Sequence, residues 1–369
     1  METSAGLPLE VALLRDLVAT PSVSGSEDAV ARLVERTVRG WGIAGLSVTR
    51  DERGVLVEAR SAAAGPTLAL VSHLDTVPPG EGWTRDPFRA TIEGDLLYGR
   101  GAGDAKASVA AMLCAARDVA RAGGPARGRL LVLLGFGEET RDTSMPALLA
   151  AAEAGGRVDA AVVGEPTNLD LAVAQRGLMM VDLVARGDQR HAGYADAGGE
   201  DRPFTNAAVL LARDLARLET LARDRPHPVL GHPTITPTML EAGVSRNVTP
   251  PTARAVLDIR STPAWPHEEL AEAMRAALES EVVVTSTRLV PCESPAGSPL
   301  VAAALRVRPA ARTYGSPTCS DWCFLRHVDA VKVGPGTSRR SHTADESVDL
   351  PEVTAARTFY AALAKEYLR

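Results

Sequence analysis

Of the seven histidines in this chain, two stand among carboxylates at a spacing that suits metal chemistry. His73 lies in VSHLDTVPPG, directly after an apolar run, and His342 lies in the glycine-rich stretch GPGTSRRSHTADE. Imidazole nitrogen and carboxylate oxygen both bind Zn²⁺, at about 2.0–2.2 Å. Asp75 follows His73 by two residues, so in an extended segment both side chains point to one face. That suits a carboxylate that receives the second ring N–H of a metal-bound His and fixes its tautomer. Asp104 lies in YGRGAGDAKAS, whose glycines let the backbone approach an ion closely while the carboxylate bridges two cations. Taken alone, Asp104 reads as a helix N-cap.

Glu138 and Glu139 close the apolar run LLVLLGFG. Adjacent carboxylates at a buried strand end repel one another and need a reason to coexist. One can ligate a metal while the other, directed elsewhere, takes a proton from a metal-acidified water. Glu165, in VVGEPTN, ends another apolar run in the same way. Two histidines and three acidic ligands, with a spare Glu and an orienting Asp, suit two cations about 3.5–4 Å apart that share one carboxylate. Each motif is weak by itself; the ordered set is specific.

The elements that must position these residues alternate between buried strands and helices. Leu9, Val11, Leu13, Leu14, Leu17 and Val18 share a helical face, and SVSGSED then opens a second helix through Ala29, Leu33 and Val34. Leu68–Val71, Leu130–Leu134 and Ala160–Val163 read as strands, and Ala105 to Ala122 as a small-residue helix. This order predicts a largely parallel α/β sheet, whose ligand sites lie beyond the carboxyl ends of its strands. His73, Glu138, Glu139 and Glu165 all fall there. From about Arg176 the texture changes: strand 177–186, helix 205–222, strands 234–244 and 253–260, helix 267–278 and strand 281–287. That β-α-β-β-α-β order is ferredoxin-like. The expected organisation is a split catalytic α/β domain, 1–174 and 289–369, with an inserted α+β domain at 175–288. An amphipathic helix from about Glu352 closes the chain.

Composition narrows the function classes. Hydrophobic residues make up 45% and charged residues 23%, as in ordinary globular proteins, and 369 residues suit two domains. Net charge is −6, Lys and Arg are scattered, and aromatics reach only 4%, which argues against a nucleic-acid binder. No apolar run is long enough for a membrane span, and the acidic opening METSAGLPLEVALLRD does not read as a secretory signal. Cys114, Cys292, Cys319 and Cys323 show no CxxC spacing, and the last two read as buried thiols. A reduced, cytoplasmic enzyme is expected.

The segments SHLDTVPPG, GRGAGDAKAS, GEET, GEPT and GPGTSRRSHTADE, in this order, resemble the M20 metallopeptidases, which include acetylornithine deacetylase, succinyl-diaminopimelate desuccinylase and carboxypeptidase G2. The resemblance covers essentially the whole chain. It implies a zinc-peptidase-like catalytic domain, and for the inserted domain the role of lid and dimerisation module. It also implies two divalent cations, Zn²⁺ first and Co²⁺ or Mn²⁺ as substitutes. His73 and Glu165 would hold one cation and Glu139 and His342 the other, with Asp104 bridging and Glu138 as general base. His191, in RGDQRHAG, matches a lid histidine that steadies the tetrahedral intermediate, typically from the partner subunit of a homodimer. Asn247 in SRNVTP and Arg260 in LDIRSTP match residues that bind the substrate carboxylate. The sequence departs from the family at Asp104-Ala105-Lys106-Ala107, where Met-Lys-Gly usually follows the Asp. A second departure is His191-Ala192-Gly193-Tyr194, which lacks the usual Ser soon after the His.

The activity implied is hydrolysis of the amide of a small N-acyl amino acid, N-acetylornithine first. Alternatives are N-acetylcitrulline, a succinylated diaminopimelate precursor, lysine or ornithine linked to an acidic carrier protein, and dipeptides. Ser320-Asp321-Trp322 and Arg339-Arg340 read either as pocket lining or as solvated loop. A catalytically silent binding protein would be expected to lose ligands or the base, yet every one is present. A purely structural zinc site would be closed and Cys-rich.

Overall fold

The computed structural model describes residues 6–140, 143–194 and 204–369. Met1–Ala5, the head of the acidic opening read above, lie outside the described residues. Two compact units emerge. The first comprises Met1–Val173, Ser294–Tyr314 and Ser320–Arg369; the second comprises Ala174–Glu293 and Gly315–Cys319.

In the first unit, Thr67–His73 runs parallel to Arg129–Gly135 on one side and to Ala160–Val163 on the other. Asp329–Lys332 continues the parallel set beside Ala160–Val163. Every residue of Thr67–His73, Arg129–Gly135 and Ala160–Val163 is buried, as expected of parallel strands covered on both faces. Each fully buried Leu or Val there contributes about 1.5–3 kcal/mol. The sheet is not parallel throughout. Leu46–Asp51 and Gly54–Arg60 form a hairpin that pairs antiparallel with Arg129–Gly135. Only Glu52 and Arg53 lie between Asp51 and its partner Gly54, too few for the crossover that a parallel pair needs.

Helix Ala107–Arg121 packs against Leu9–Val18 and Leu350–Tyr367. Its alanines keep it thin, so it is buried along nearly its whole length. It starts two residues later than the sequence pattern suggests. Asp104 (φ −119°, ψ 93°) and Ala105 are non-helical, and the peptide between them is cis. The C-terminal helix is tied to the sheet by Tyr360, whose hydroxyl donates to the Val333 carbonyl at 2.8 Å. Val333 opens the loop that carries His342.

In the second unit, four antiparallel strands stand in the order Thr234–Ala242, Thr252–Ser261, Gly177–Arg186, Glu281–Leu289. With helices Ala207–Leu221 and His267–Ala277 this is the ferredoxin-like arrangement. Gly177–Arg186 buries alternate residues, and Met179, Val181 and Leu183 join Leu211, Leu270 and Met274 in one core. Asn206 starts the first of these helices, its side chain accepting from the N–H groups of Ala208 and Val209. No disulfide is formed; Cys114, Cys292 and Cys323 are buried and Cys319 is partly exposed. Among the described residues no helix is long and apolar enough to cross a membrane.

Candidate active site

Parallel register is what assembles the site. His73 is the last residue of its strand and pairs with Gly135, while Val71 pairs with Val163. The ends of Thr67–His73, Arg129–Gly135 and Ala160–Val163 therefore lie along one edge, where His73, Glu138 and Glu165 leave the sheet. Lys332 pairs with Val163, so the loop that carries His342 departs from that edge too. At Gly334 an added Cβ would lie 2.6 Å from the Glu165 carbonyl oxygen. Only glycine lets that loop settle beside Glu165.

Asp104 stands between the two histidines. Its Oδ1 is 3.3 Å from His73 Nε2 and its Oδ2 is 3.6 Å from His342 Nε2. Glu165 Oε1 lies 3.8 Å from His73 Nε2, and Glu139 Oε1 lies 2.9 Å from His342 Nε2. Two sets of ligand atoms result, His73–Asp104–Glu165 and Asp104–Glu139–His342, each within 4.8 Å. A third set, His73–Glu138–Glu139, adjoins them.

Asp75 is fully buried. His73 Nδ1 is 3.1 Å from the Asp75 backbone carbonyl and 3.5 Å from its carboxylate. The carboxylate also accepts the backbone N–H of Glu138 and of Glu139, each at 3.1 Å, and the Ser24 hydroxyl at 2.7 Å. It therefore orients the Glu138–Glu139 pair as well as His73. Burial would raise its pKa, but hydrogen bonds and the charge of His73 prevail and lower it to about 2.

The neighbouring groups show how much negative charge is concentrated here. Burial opposes the charged form of His73, yet Asp104, Asp75 and Glu138 hold its pKa well above the ordinary value. Burial, with repulsion from Asp104, pushes Glu165 up to about 8. Burial also drives Glu138 well above the usual carboxylate range; Glu165, Asp321 and Glu139 add to this against the pull of His73. A nitrogen and oxygen donor set with surplus negative charge is what hard or borderline divalent cations require. The residues fit such cations.

His191, Asn247 and Arg260 belong to the second unit. His191 is exposed; it bridges with Val248, while the Ala192 N–H donates to the Asn247 carbonyl at 2.7 Å. His191 and Asn247 thus lie on adjoining segments, which Thr249 pins through bonds to Asp188 and Arg190. Asn247 accepts from the Ser245 hydroxyl at 3.0 Å. Arg260 is engaged by Asp258 on its own strand, with Nε–Oδ1 at 2.7 Å and Nη2–Oδ2 at 3.0 Å. In the first unit Asp321 is buried and accepts from Thr143 at 3.0 Å. Arg340 pairs with Asp349 at 3.1 Å, and Arg339 is exposed. Sequence reasoning passed over Ser24, Thr249, Arg100 and Glu346. Of these only Glu346, a carboxylate four residues beyond His342, left a local signal.

The profile of peptidase family M20/M25/M40 matches residues 69–366. The succinyl-diaminopimelate desuccinylase of Phenylobacterium zucineum is 33% identical over 385 residues, spanning 97% of this chain and 98% of that protein. Among solved structures, the aminopeptidase PepT of Bacillus cereus superposes with TM-score 0.78 at 19% identity, over 98% of both chains. A dinuclear metal-binding M20 peptidase of Bacillus subtilis superposes with TM-score 0.72 at 16% identity, over 97% of both. Fold, strand-end carboxylates and full-length similarity agree: this chain belongs to peptidase family M20/M25/M40 and is a hydrolase of amide bonds.

Proposed function

We propose that this chain removes the acyl group from an N-acyl amino acid at a pair of divalent cations, with N-succinyl-diaminopimelate the first candidate substrate. The observation that carries the two-cation reading is Asp104, which turns one oxygen to His73 and the other to His342. His73 and Glu165 would hold one cation, Glu139 and His342 the other, with Asp104 shared. Zn²⁺ suits this donor set, and Co²⁺ or Mn²⁺ accept the same ligands. Bound there, the cations would polarise the scissile carbonyl and acidify the attacking water.

Glu138 takes the proton of that water and returns it to the leaving amine. Its raised pKa runs in the direction such a dual role needs. Asp75 keeps Glu138 and Glu139 turned to separate tasks by holding both backbone N–H groups. To the second unit we assign the lid and dimerisation roles. His191 steadies the developing oxyanion, and Arg260 and Asn247 bind the substrate α-carboxylate, a geometry guanidinium favours. Strand Thr234–Ala242 lies at the edge of its sheet with Met239 and Leu240 exposed, which supports pairing with a second copy.

The succinyl reading draws on the name of the Phenylobacterium relative. A second observation favours an acyl group that bears its own carboxylate. Arg339, three residues before His342, has no carboxylate partner among the described residues, whereas its neighbour Arg340 does. N-acetylornithine, which lacks that carboxylate, is the second candidate. The test is turnover by purified, cation-loaded protein of N-succinyl-diaminopimelate, N-acetylornithine, N-acetylcitrulline and N-acetyllysine, each with a chelated control. Chelator-sensitive turnover that favours the succinyl compound at least tenfold supports the assignment. Turnover of an acetyl compound alone removes the succinyl assignment, and turnover of none removes the reading of small free substrates.

A further inference from the structure

Four donors converge on the carboxylate of Glu346, and two of them belong to the turn that presents Asp104. Oε1 accepts the backbone N–H of Gly103 at 2.9 Å and of Asp104 at 3.1 Å; Oε2 accepts that of Gly101 at 3.2 Å and the Arg100 guanidinium at 2.5 Å. Both residues are buried, at 1% exposure. Arg100 is fixed in turn: Nη2 donates to the Pro79 carbonyl at 3.0 Å, and the guanidinium lies 5.3 Å from the Trp83 ring centroid. Trp83 Nε1 donates to that same carbonyl at 2.7 Å. Gly101 is part of the device: it adopts φ +83°, and a Cβ there would lie 2.7 Å from Thr76 Cγ2.

Glu346 also stands four residues from His342, and its segment is anchored at three further places. The Gly99 N–H donates to the Glu346 carbonyl at 2.9 Å, and Ser347 pairs with Tyr98 in a short sheet. The Asp345 carboxylate accepts the N–H and the hydroxyl of Thr84. One carboxylate therefore joins the turn bearing the shared ligand to the loop bearing the most exposed one.

We propose that Glu346, seated on Arg100, is a positioning residue that sets the spacing between Asp104 and His342 and so the pairing of the two cations. The proposal rests on the two-cation reading above. A buried pair contributes little net stability compared with apolar packing, and its best-attested use is to specify one geometry. Here the geometry specified is that of the turn that presents Asp104. Asp104 and Ala105 leave helical φ/ψ at the point where Glu346 accepts the backbone N–H groups.

The test is calorimetric titration of Zn²⁺ into chelator-stripped, full-length protein, with thermal unfolding of each stripped variant alongside. Glu346→Gln keeps the length of the side chain and an acceptor oxygen; Glu346→Ala keeps neither. The expected result is two equivalents bound by wild type and a second-equivalent affinity about 10- to 100-fold lower in Glu346→Ala. Glu346→Gln should recover most of that loss. Arg100→Lys, which keeps the charge but not the fork, should fall between them. The proposal is overturned if all variants bind both equivalents as wild type does, or if Gln rescues nothing and affinity simply follows melting temperature. Should Glu346→Ala fail to fold, Glu346→Gln and Arg100→Lys against wild type decide. Wild-type protein that binds no cation overturns the two-cation reading and this proposal with it. Intact two-site binding with insensitive variants overturns this proposal alone.

Discussion

The Oδ2 of Asp75 accepts the backbone N–H of Glu139 at 3.1 Å, so a residue beside one histidine sets the course of the chain at the opposite carboxylate. Its Oδ1 does the same for Glu138. The orienting Asp therefore acts on strand ends that are neighbours in the sheet but more than sixty residues apart in the chain.

Asp75→Asn leaves the shape and removes the charge and one acceptor. The expected outcome is a fall in kcat/KM of about 10- to 100-fold, with both cations still bound but more weakly. Steady-state kinetics beside a cation titration measure both effects. Wild-type kinetics would show that the three hydrogen bonds to this carboxylate serve only the fold.

Arg260 holds Asp258 through a two-pronged ion pair, and a substrate carboxylate would have to displace that partner. The pair is half-exposed, and surface pairs contribute about 0.2–1 kcal/mol. Asp258→Asn is therefore expected to lower KM by roughly 1.5- to 5-fold with little change in kcat, while Arg260→Ala raises KM. A higher KM in Asp258→Asn would mean that Asp258 aims Arg260 instead of competing for it.

Glu10 ties the first helix to the last. It is 1% exposed and accepts from Thr354 at 2.6 Å and from Arg357 at 2.6 Å. Burial alone would raise its pKa; these hydrogen bonds and the Arg357 charge lower it below the ordinary 4.5. A lowered carboxylate pKa gives stability that is present above about pH 4.5 and lost as pH falls through the folded value. Glu10→Gln should cost about 1–3 kcal/mol at pH 7. The difference from wild type should shrink towards pH 3. Urea unfolding at several pH values reads it, and a difference that stays constant with pH would rule the linkage out.

The strands that end at His73 and shortly before Glu138 and Glu165 were legible because each is a continuous apolar run, the pattern of a strand covered on both faces. Gly177–Arg186 was legible as a strand in the same way, apolar from Leu178 to Ala185 but for Asp182; its alternate burial is seen only in the structure. The start of Ala107–Arg121 was not legible. Ala105 and Lys106 have good helix propensity, and the groups that hold the turn open belong to Glu346, 242 residues from Asp104. Nor was the antiparallel hairpin Leu46–Arg60 foreseen, since short runs carry little periodicity. Local pattern reveals where strands end; what a buried carboxylate grips depends on distant chain.

In the proposed assignment the site divides between cation ligands and one proton carrier, Glu138. The most direct measurement is cation content and amide turnover together in wild type and Glu138→Ala. Two equivalents of Zn²⁺ are expected in both proteins, with turnover lost by at least about 100-fold in the variant. A Glu138→Ala protein that keeps both cations and full activity would contradict that assignment.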